Sequence, residues 1–205
     1  MLTFAVLTSF SGCAKPPGDL ERINREQAVT IKSMNQEISR LNAELAEVLH
    51  DRQDLSKAKS ELESRMGPEL ESGDLSVSMQ DRGLVVTVLD RVLFDSGKAG
   101  LRNEARATLD KLGEVLSAEL NGHMIYIEGH TDNVPIKLSG WRSNWELSTA
   151  RAMEVVHYLI EARGLDPRRI AATGYGEFHP VTGNDTEPGR LKNRRVEIVI
   201  SPKKV

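Results

Sequence analysis

Cysteine is almost absent from this chain of 205 residues, since Cys13 is the only one. A single thiol excludes an intramolecular disulfide, so the cysteine count does not indicate an oxidising compartment. An excess of positive charge is also absent: the formal net charge of −3 gives no general reason to expect nucleic acid as a partner. Residues 19–66 contain no proline or glycine, which leaves that stretch free to form one long helix.

No long apolar run precedes Lys15. The first fourteen residues are uncharged and mostly apolar, whereas a helix that spans a bilayer takes roughly 20. The run ends in Ser11, Gly12 and Cys13 and resembles a bacterial lipoprotein signal peptide. The resemblance implies a signal peptide over residues 1–13, with Cys13 as the lipidated first residue of the mature chain. A stray apolar N-terminus and a cropped transmembrane helix are the alternatives.

Two features depart from that resemblance. Phe10 stands where leucine is usual, and no lysine or arginine precedes the apolar run, so we expect the true start to lie upstream of Met1. Ala14 follows the cysteine in place of the aspartate that commonly retains such lipoproteins in the inner membrane. The resemblance therefore favours the outer membrane of a Gram-negative bacterium, with the protein facing the periplasm.

Residues 19–67 carry a heptad pattern. Spacings of three and four alternate over eleven positions, nine of them apolar: Ile31, Met34, Ile38, Leu41, Leu45, Val48, Arg52, Leu55, Lys59, Leu62 and Met66. The pattern predicts a coiled-coil spacer, and isoleucine at a with leucine at d favours a parallel homodimer. A single helix folded back on the C-terminal domain is the alternative.

The remainder of the chain predicts one compact domain. Gly67-Pro68 ends the helix, residues 68–74 form a linker, and the domain covers 75–205. The predicted order is β-β-α-β-α-β-β, with two strands within 75–89, a helix over 103–120, a strand at 124–129, a helix over 146–163, and strands at 169–176 and 196–200. Strands that alternate with helices indicate an α/β (α+β) sandwich, a mixed sheet with two helices packed on one face, preceded by the long α-helical coiled coil.

Polar residues cluster where the strand at 124–129 ends. Glu128, His130 and Asp132 alternate, so on a strand they would share one side, as a metal site or an acid/base set would require. No second histidine lies nearby in sequence, and the nucleophile and zinc motifs G-x-S-x-G and H-E-x-x-H are absent. We therefore expect no enzyme, no catalytic residue, no metal and no cofactor, and we interpret His130 as a turn histidine that orients the loop by hydrogen bonds.

The helix after this loop presents a second polar face. Ser143 and Glu146 fit a capping box at its start. Arg151 shares a face with Asn144 and Leu147, away from the apolar stripe that enters the core. Asp132 and Arg151 are therefore expected to converge on a ligand that carries both an ammonium and a carboxylate group.

Five motifs in order identify a family resemblance: VLFDSG (92–97), GHTD (129–132), NWELSTARA (144–152), GYG (174–176) and NRRVEI (193–198). Together they resemble the OmpA-like peptidoglycan-binding domain over about residues 90–201. The resemblance implies that Asp132 binds the ammonium group and Arg151 the carboxylate of the wall's diaminopimelate. It implies further peptidoglycan-binding residues at Thr131, Asn144, Leu147, Asn193 and Arg194.

The resemblance implies a function that involves no chemistry. We expect non-covalent binding of peptidoglycan by a lipid-anchored structural protein that tethers the outer membrane to the cell wall. The expected partners are peptidoglycan, the membrane through the lipid on Cys13, a second copy through the coiled coil, and other envelope proteins, but not nucleic acid. The alternative is a flagellar-stator-like motor component, because the long loop after Asp132 resembles that branch; a stator would need a transmembrane helix upstream.

Overall fold

The computed structural model describes residues 17–136 and 140–203. Cys13 and the predicted signal peptide lie outside these residues. The elements in chain order are α1 (Pro17–Arg65), α2 (Gly67–Glu71), β1 (Leu75–Gln80), β2 (Gly83–Leu89), α3 (Asp90–Leu93), α4 (Asn103–Ala118), β3 (Ile125–His130), α5 (Asn144–Glu161), the 3-10 helix η1 (Pro167–Arg169), β4 (Ile170–Gly174), α6 (Glu187–Asn193) and β5 (Arg195–Ile200).

The five strands form one mixed sheet in the order β1-β2-β5-β3-β4. Only β3 and β4 run parallel, and α5 is the crossover between them. The chain's last strand, β5, enters the middle of the sheet and pairs antiparallel with β2 and β3. Strand β3 is thereby held between β5 and β4, whereas β4 lies at the edge of the sheet. The pairing of β3 on both sides positions the loop that leaves β3 and leads into α5.

One hydrophobic core lies between the sheet and two helices. Alternate side chains of the central strands enter it, for example Ile127 of β3 and Ile198 of β5, which are register partners. Helix α4 contributes Leu109 and Leu112, and α5 contributes Val155, all essentially inaccessible to solvent. The predicted fold class is therefore confirmed, and the long N-terminal helix is present; short helices α2, α3 and α6 were not predicted.

The compact unit is longer than the predicted domain over 75–205. The chain divides into residues up to Ala46 and a unit that starts at Glu47. Leu55, Leu62 and Met66 of α1 are at most 3% exposed and belong to the core. A stripe with heptad spacing covers one side of a helix, which suits burial against a sandwich as well as against another helix.

A buried polar contact also holds this end of α1. The Nε2 atom of His123 lies 2.8 Å from the carboxylate of Asp51, and His123 is completely buried. The Lys203 N–H donates to the other oxygen of Asp51 at 3.3 Å. The part of α1 before Ala46 differs, because its seam residues from Ile31 to Leu45 are about half exposed.

Within residues 17–136 and 140–203, no helix has the length and apolar character needed to cross a membrane.

Candidate functional site

Close packing of α5 on the ends of β3 and β4 sets the position of the site. A Cβ added to Gly129 would lie 2.1 Å from the Ser148 carbonyl oxygen, and one added to Gly174 would lie 2.4 Å from the Thr149 backbone nitrogen. The φ of Gly129 is not positive, so a backbone conformation that only glycine tolerates does not account for it. The close approach of the helix, which only the tertiary structure creates, explains the glycine instead.

The start of α5 is capped as predicted. The Ser143 hydroxyl accepts a hydrogen bond from the Glu146 N–H at 3.4 Å. The Glu146 carboxylate accepts one from the Arg142 N–H at 2.8 Å, one residue before the cap. These contacts hold the first turn of α5 beside the loop after β3, so Asn144 and Leu147 face the space in front of Asp132.

A cavity of about 1120 Å³ opens at this place. Its walls come from α3 and the loop after it, from the loop after β3, from α5, and from α6 with the residue that follows it. Six of the seven peptidoglycan-binding residues implied by the resemblance line it: Thr131, Asp132, Asn144, Leu147, Arg151 and Arg194. Folding thus brings together residues that are 63 positions apart in sequence, from 131 to 194.

Asp132 is buried at the edge of the cavity and fully paired. It is 6% exposed, and its Oδ1 accepts a hydrogen bond from the Val134 N–H at 3.0 Å. Its Oδ2 forms an ion pair with Arg194, whose second nitrogen lies 2.6 Å from the Glu187 carboxylate. The loop and α6 therefore hold the Asp132 carboxylate in one orientation.

Arg151 also lines the cavity, and its buried side chain is held from three sides. It is 3% exposed. Its Nη1 lies 2.9 Å from the Asp90 carboxylate, and its Nε–H donates to the Lys98 carbonyl at 2.9 Å. The guanidinium group also lies over the Phe94 ring, 5.1 Å from its centroid. These contacts leave the guanidinium rigid, as recognition of a carboxylate requires.

Asp90 is a member of the site that sequence reasoning missed. Burial raises the pKa of its carboxyl group to about 6, although Arg151 and Arg194 act in the opposite direction and Asp132 adds to the rise. In the sequence Asp90 is only the polar end of an apolar strand, and nothing in its spacing links it to Arg151. The one available signal was a lone carboxylate directly after a buried strand.

The Asn144 amide nitrogen and the Thr131 hydroxyl support the loop after β3. The Asn144 amide donates to the carbonyls of Asp132 and Val134 at 3.2 and 3.3 Å, and to the Glu177 carboxylate at 2.6 Å. The Thr131 hydroxyl donates to the Asp132 carbonyl at 2.9 Å. Both side chains therefore fix the shape of the loop that carries the Asp132 carboxylate.

Asn193 lies behind the cavity and does not line it. The residue is completely buried. Its amide oxygen accepts from the N–H groups of Val181 and Thr182, and its amide nitrogen donates to the Thr182 carbonyl and to Asn184. With every hydrogen-bonding position of the amide used, Asn193 is placed to brace the loop before α6, next to Arg194.

The alternating set Glu128, His130 and Asp132 does not stay together. Glu128 and His130 approach Glu197 of β5 instead, while Asp132 joins the cavity. His130 is buried and stacks on Tyr175 with ring centroids 5.2 Å apart. Neither of its ring nitrogens has a hydrogen-bond partner among the described residues, so the interpretation of His130 as a hydrogen-bonded turn residue is wrong. Burial lowers its pKa to about 3, which keeps the imidazole neutral.

Two ion pairs in the wall of the cavity define what it can bind. Asp132 with Arg194 and Arg151 with Asp90 place two anions and two cations around one space. A ligand that carries both an ammonium and a carboxylate group can meet an opposite charge on each side without leaving a net buried charge. Such a site can bind and orient a zwitterionic group.

Comparison with known proteins assigns this domain to a family. The OmpA family profile matches residues 93–194, so the chain carries an OmpA family domain, and the predicted resemblance is confirmed. Motility protein B of Bacillus subtilis (strain 168) is 40% identical over 153 residues, which are 75% of this chain and 58% of that protein. The probable lipoprotein YiaD of Escherichia coli (strain K12) is 31% identical over 140 residues, 68% of this chain and 61% of that protein.

A solved structure shares the fold. The cell wall anchor of the T6SS from Pseudomonas aeruginosa is 32% identical and superposes with a TM-score of 0.63, over 69% of this chain and 97% of that one. The two curated relatives are longer than the region they share with this chain, which spans 58% and 61% of their lengths.

Proposed function

We propose that the domain binds peptidoglycan non-covalently through the diaminopimelate of the stem peptide. The observation that carries the proposal is that Asp132 and Arg151 line one and the same cavity. The ligand's ammonium group contacts Asp132, and its carboxylate contacts Arg151, a charge-assisted contact that the planar guanidinium makes bidentately. No bond is made or broken, so the protein is a binding protein and not an enzyme.

The existing ion pairs explain how the ligand enters without a large penalty. Arg194 is one-quarter exposed, so it can turn toward the ligand while Asp132 accepts the ammonium group. Arg151 keeps its contact with the Lys98 carbonyl and adds the ligand carboxylate beside Asp90. Each buried charge therefore retains a partner in both states, which avoids the cost of an unpaired buried ion.

Co-sedimentation with isolated peptidoglycan sacculi tests the proposal. We expect the protein from residue 47 onward to pellet with sacculi, and Asp132→Ala and Arg151→Ala to remain largely in the supernatant. Asp81→Ala, in the exposed turn after β1, and Arg168→Ala, whose side chain is 88% exposed, remove the same charges elsewhere and should pellet like wild type. Circular dichroism confirms that each variant is folded. Equal pelleting of all five proteins would sink the proposal.

We further propose that the whole protein tethers the outer membrane to the cell wall through a lipid on Cys13. A lipoprotein relative and a cell wall anchor with the same fold support this role. Two wall-binding domains on one dimer would strengthen retention by avidity. Metabolic labelling with palmitate tests the anchor: the wild-type protein should take up label, and Cys13→Ser should not.

A motor role is the second candidate, and the 40% identity to Motility protein B favours it. In that role the same domain would anchor an ion-driven complex to the wall. The N-terminal sequence of the native protein separates the two roles. A signal peptide processed at Cys13 supports the tether, whereas a retained transmembrane helix that carries a carboxylate supports the motor.

A further inference from the structure

The sheet face opposite α4 and α5 carries a polar cluster that peptidoglycan binding does not use. Glu128 of β3 and Glu197 of β5 are register partners on neighbouring strands. His130 lies two residues after Glu128, so its side chain points to the same face. One ligand atom from each of the three residues lies within 4.8 Å of the other two. The cluster therefore presents one nitrogen and two carboxylate donors to a common point.

His130 is the member of this cluster that the protein leaves unsatisfied. It is 4% exposed, and neither Nδ1 nor Nε2 finds a hydrogen-bond partner within residues 17–136 and 140–203. Buried polar atoms without partners are uncommon and costly, because they have lost their contacts with water. A neutral imidazole with a free lone pair is the commonest metal ligand among side chains.

The two carboxylates already require a cation between them. Arg82, in the turn between β1 and β2, contacts both: its Nη1 lies 2.5 Å from the Glu128 carboxylate, and its other terminal nitrogen pairs with Glu197. The Arg82 side chain is 41% exposed, so it can swing into solvent. Arg195 remains on Glu197 at 2.5 Å and is buried. Arg82 thus forms ion pairs with both carboxylates, but it makes no hydrogen bond to His130.

We propose that Glu128, His130 and Glu197 form a binding site for a divalent transition-metal ion of the zinc class. The ion would replace the Arg82 guanidinium between the carboxylates and would also use the free lone pair of His130. One imidazole and two carboxylates are a ligand set that zinc accepts, with water in the fourth position. The ion would cross-link β3 to β5 two residues before Asp132.

Isothermal titration calorimetry with zinc chloride tests the site on the whole chain. All proteins carry Cys13→Ser, because a free thiol binds zinc by itself. Wild type should bind one zinc ion with micromolar affinity or better. His130→Ala should weaken binding by more than the roughly tenfold that even a supporting residue costs. Arg82→Ala should tighten binding, since no guanidinium then competes for the carboxylates. His157→Ala is the control, an exposed histidine on α5 next to Glu161.

The variants separate this site from adventitious zinc. Loss of binding in His157→Ala but not in His130→Ala would assign zinc to the surface and overturn the proposal. Absence of binding in both wild type and Arg82→Ala would overturn it as well. If His130→Ala does not fold, Arg82→Ala decides between the outcomes. Tighter zinc binding by Arg82→Ala supports the site, because misfolding cannot increase affinity. Unchanged or weaker zinc binding by Arg82→Ala rejects the site.

Discussion

At the scale of single residues, the cavity is defined by charges that are buried and paired. Asp132 and Arg151 are each less than 10% exposed, yet each already has an ionic partner. Removing one partner from a buried pair leaves an uncompensated charge, which typically costs about 3–5 kcal/mol. The partner residues Asp90 and Arg194 therefore stabilise the folded cavity as much as the two residues that are expected to contact the ligand.

Asp90 should give the protein a pH-dependent stability. Its folded-state pKa is raised from 3.8 to about 6, so its contribution to the free energy of unfolding is complete below pH 4 and is lost as the pH rises through 6. A pKa change of this size corresponds to about 3 kcal/mol. Urea unfolding of wild type and Asp90→Asn from pH 4 to pH 7 measures it: relative to the variant, wild type should lose stability as the pH rises.

The other charged groups that face Asp90 do not produce the same dependence of the free energy of unfolding on pH. Arg151 and Arg194 keep their charge over this range, and Asp132 remains in the variant. Asp95→Asn is the matched control, because that carboxylate is 56% exposed and close by in sequence. It should retain the wild-type slope. An identical pH dependence in Asp90→Asn would show that Asp90 is not the titrating group.

At the scale of elements, the single heptad pattern of α1 lies in two different environments. Its seam from Leu55 to Met66 is buried in its own domain, whereas the seam from Ile31 to Val48 is about half exposed in a single chain. A seam of about two and a half heptads is short for a coiled coil, so pairing of the exposed part should depend on concentration. The coiled-coil dimer stays a prediction.

Truncation of the buried part of the seam should destabilise the domain. Leu62 is completely buried, so Leu62→Ala removes core packing and should lower the free energy of unfolding by about 2–5 kcal/mol. Leu49→Ala makes the same change on the same helix at a residue that is 51% exposed, and it should change stability by less than about 1 kcal/mol. Chemical denaturation of both variants at one protein concentration measures the difference. Equal effects would mean that α1 does not belong to the core.

At the scale of the whole molecule, the chain joins a helical unit to the unit that carries the cavity. The helical unit presents its apolar seam to solvent, and the second unit begins at Glu47. A second copy is the occupant that the heptad pattern favours, because apolar residues fill every a and d position from Ile31 to Val48. Dimerisation would give two cavities per molecule and hence avidity on a polymeric wall.

Analytical ultracentrifugation of the chain from residue 19 tests dimerisation. Wild type should approach the dimer mass as concentration rises. Leu41→Lys places a charge at a d position and should shift the mass to that of a monomer. Ala43→Lys adds the same charge on the outer side of the helix and should leave the dimer intact. A wild-type monomer at high concentration would contradict the prediction.

The sequence predicted most of the architecture because its elements are locally encoded. The helices α4 and α5 follow an apolar stripe with helical spacing, and the Ser143 cap marks where α5 begins. The order of the elements and the family motifs also predict that Asp132 and Arg151 lie near one another. These signals are periodic or local, so they can be recognised in the amino-acid sequence without the tertiary structure.

The amino-acid sequence by itself determined the fold class, the long helix and the pair of residues expected to meet the ligand. Tertiary structure alone decided which half of the α1 seam is buried, that Asp90 is the partner of Arg151, and that Glu197 joins Glu128 and His130. The physical reason is that these contacts connect distant segments: Asp90 and Arg151 are 61 positions apart, and Glu128 and Glu197 are 69 apart. No local spacing encodes such a contact; it exists only once the sheet has assembled with β5 in its middle.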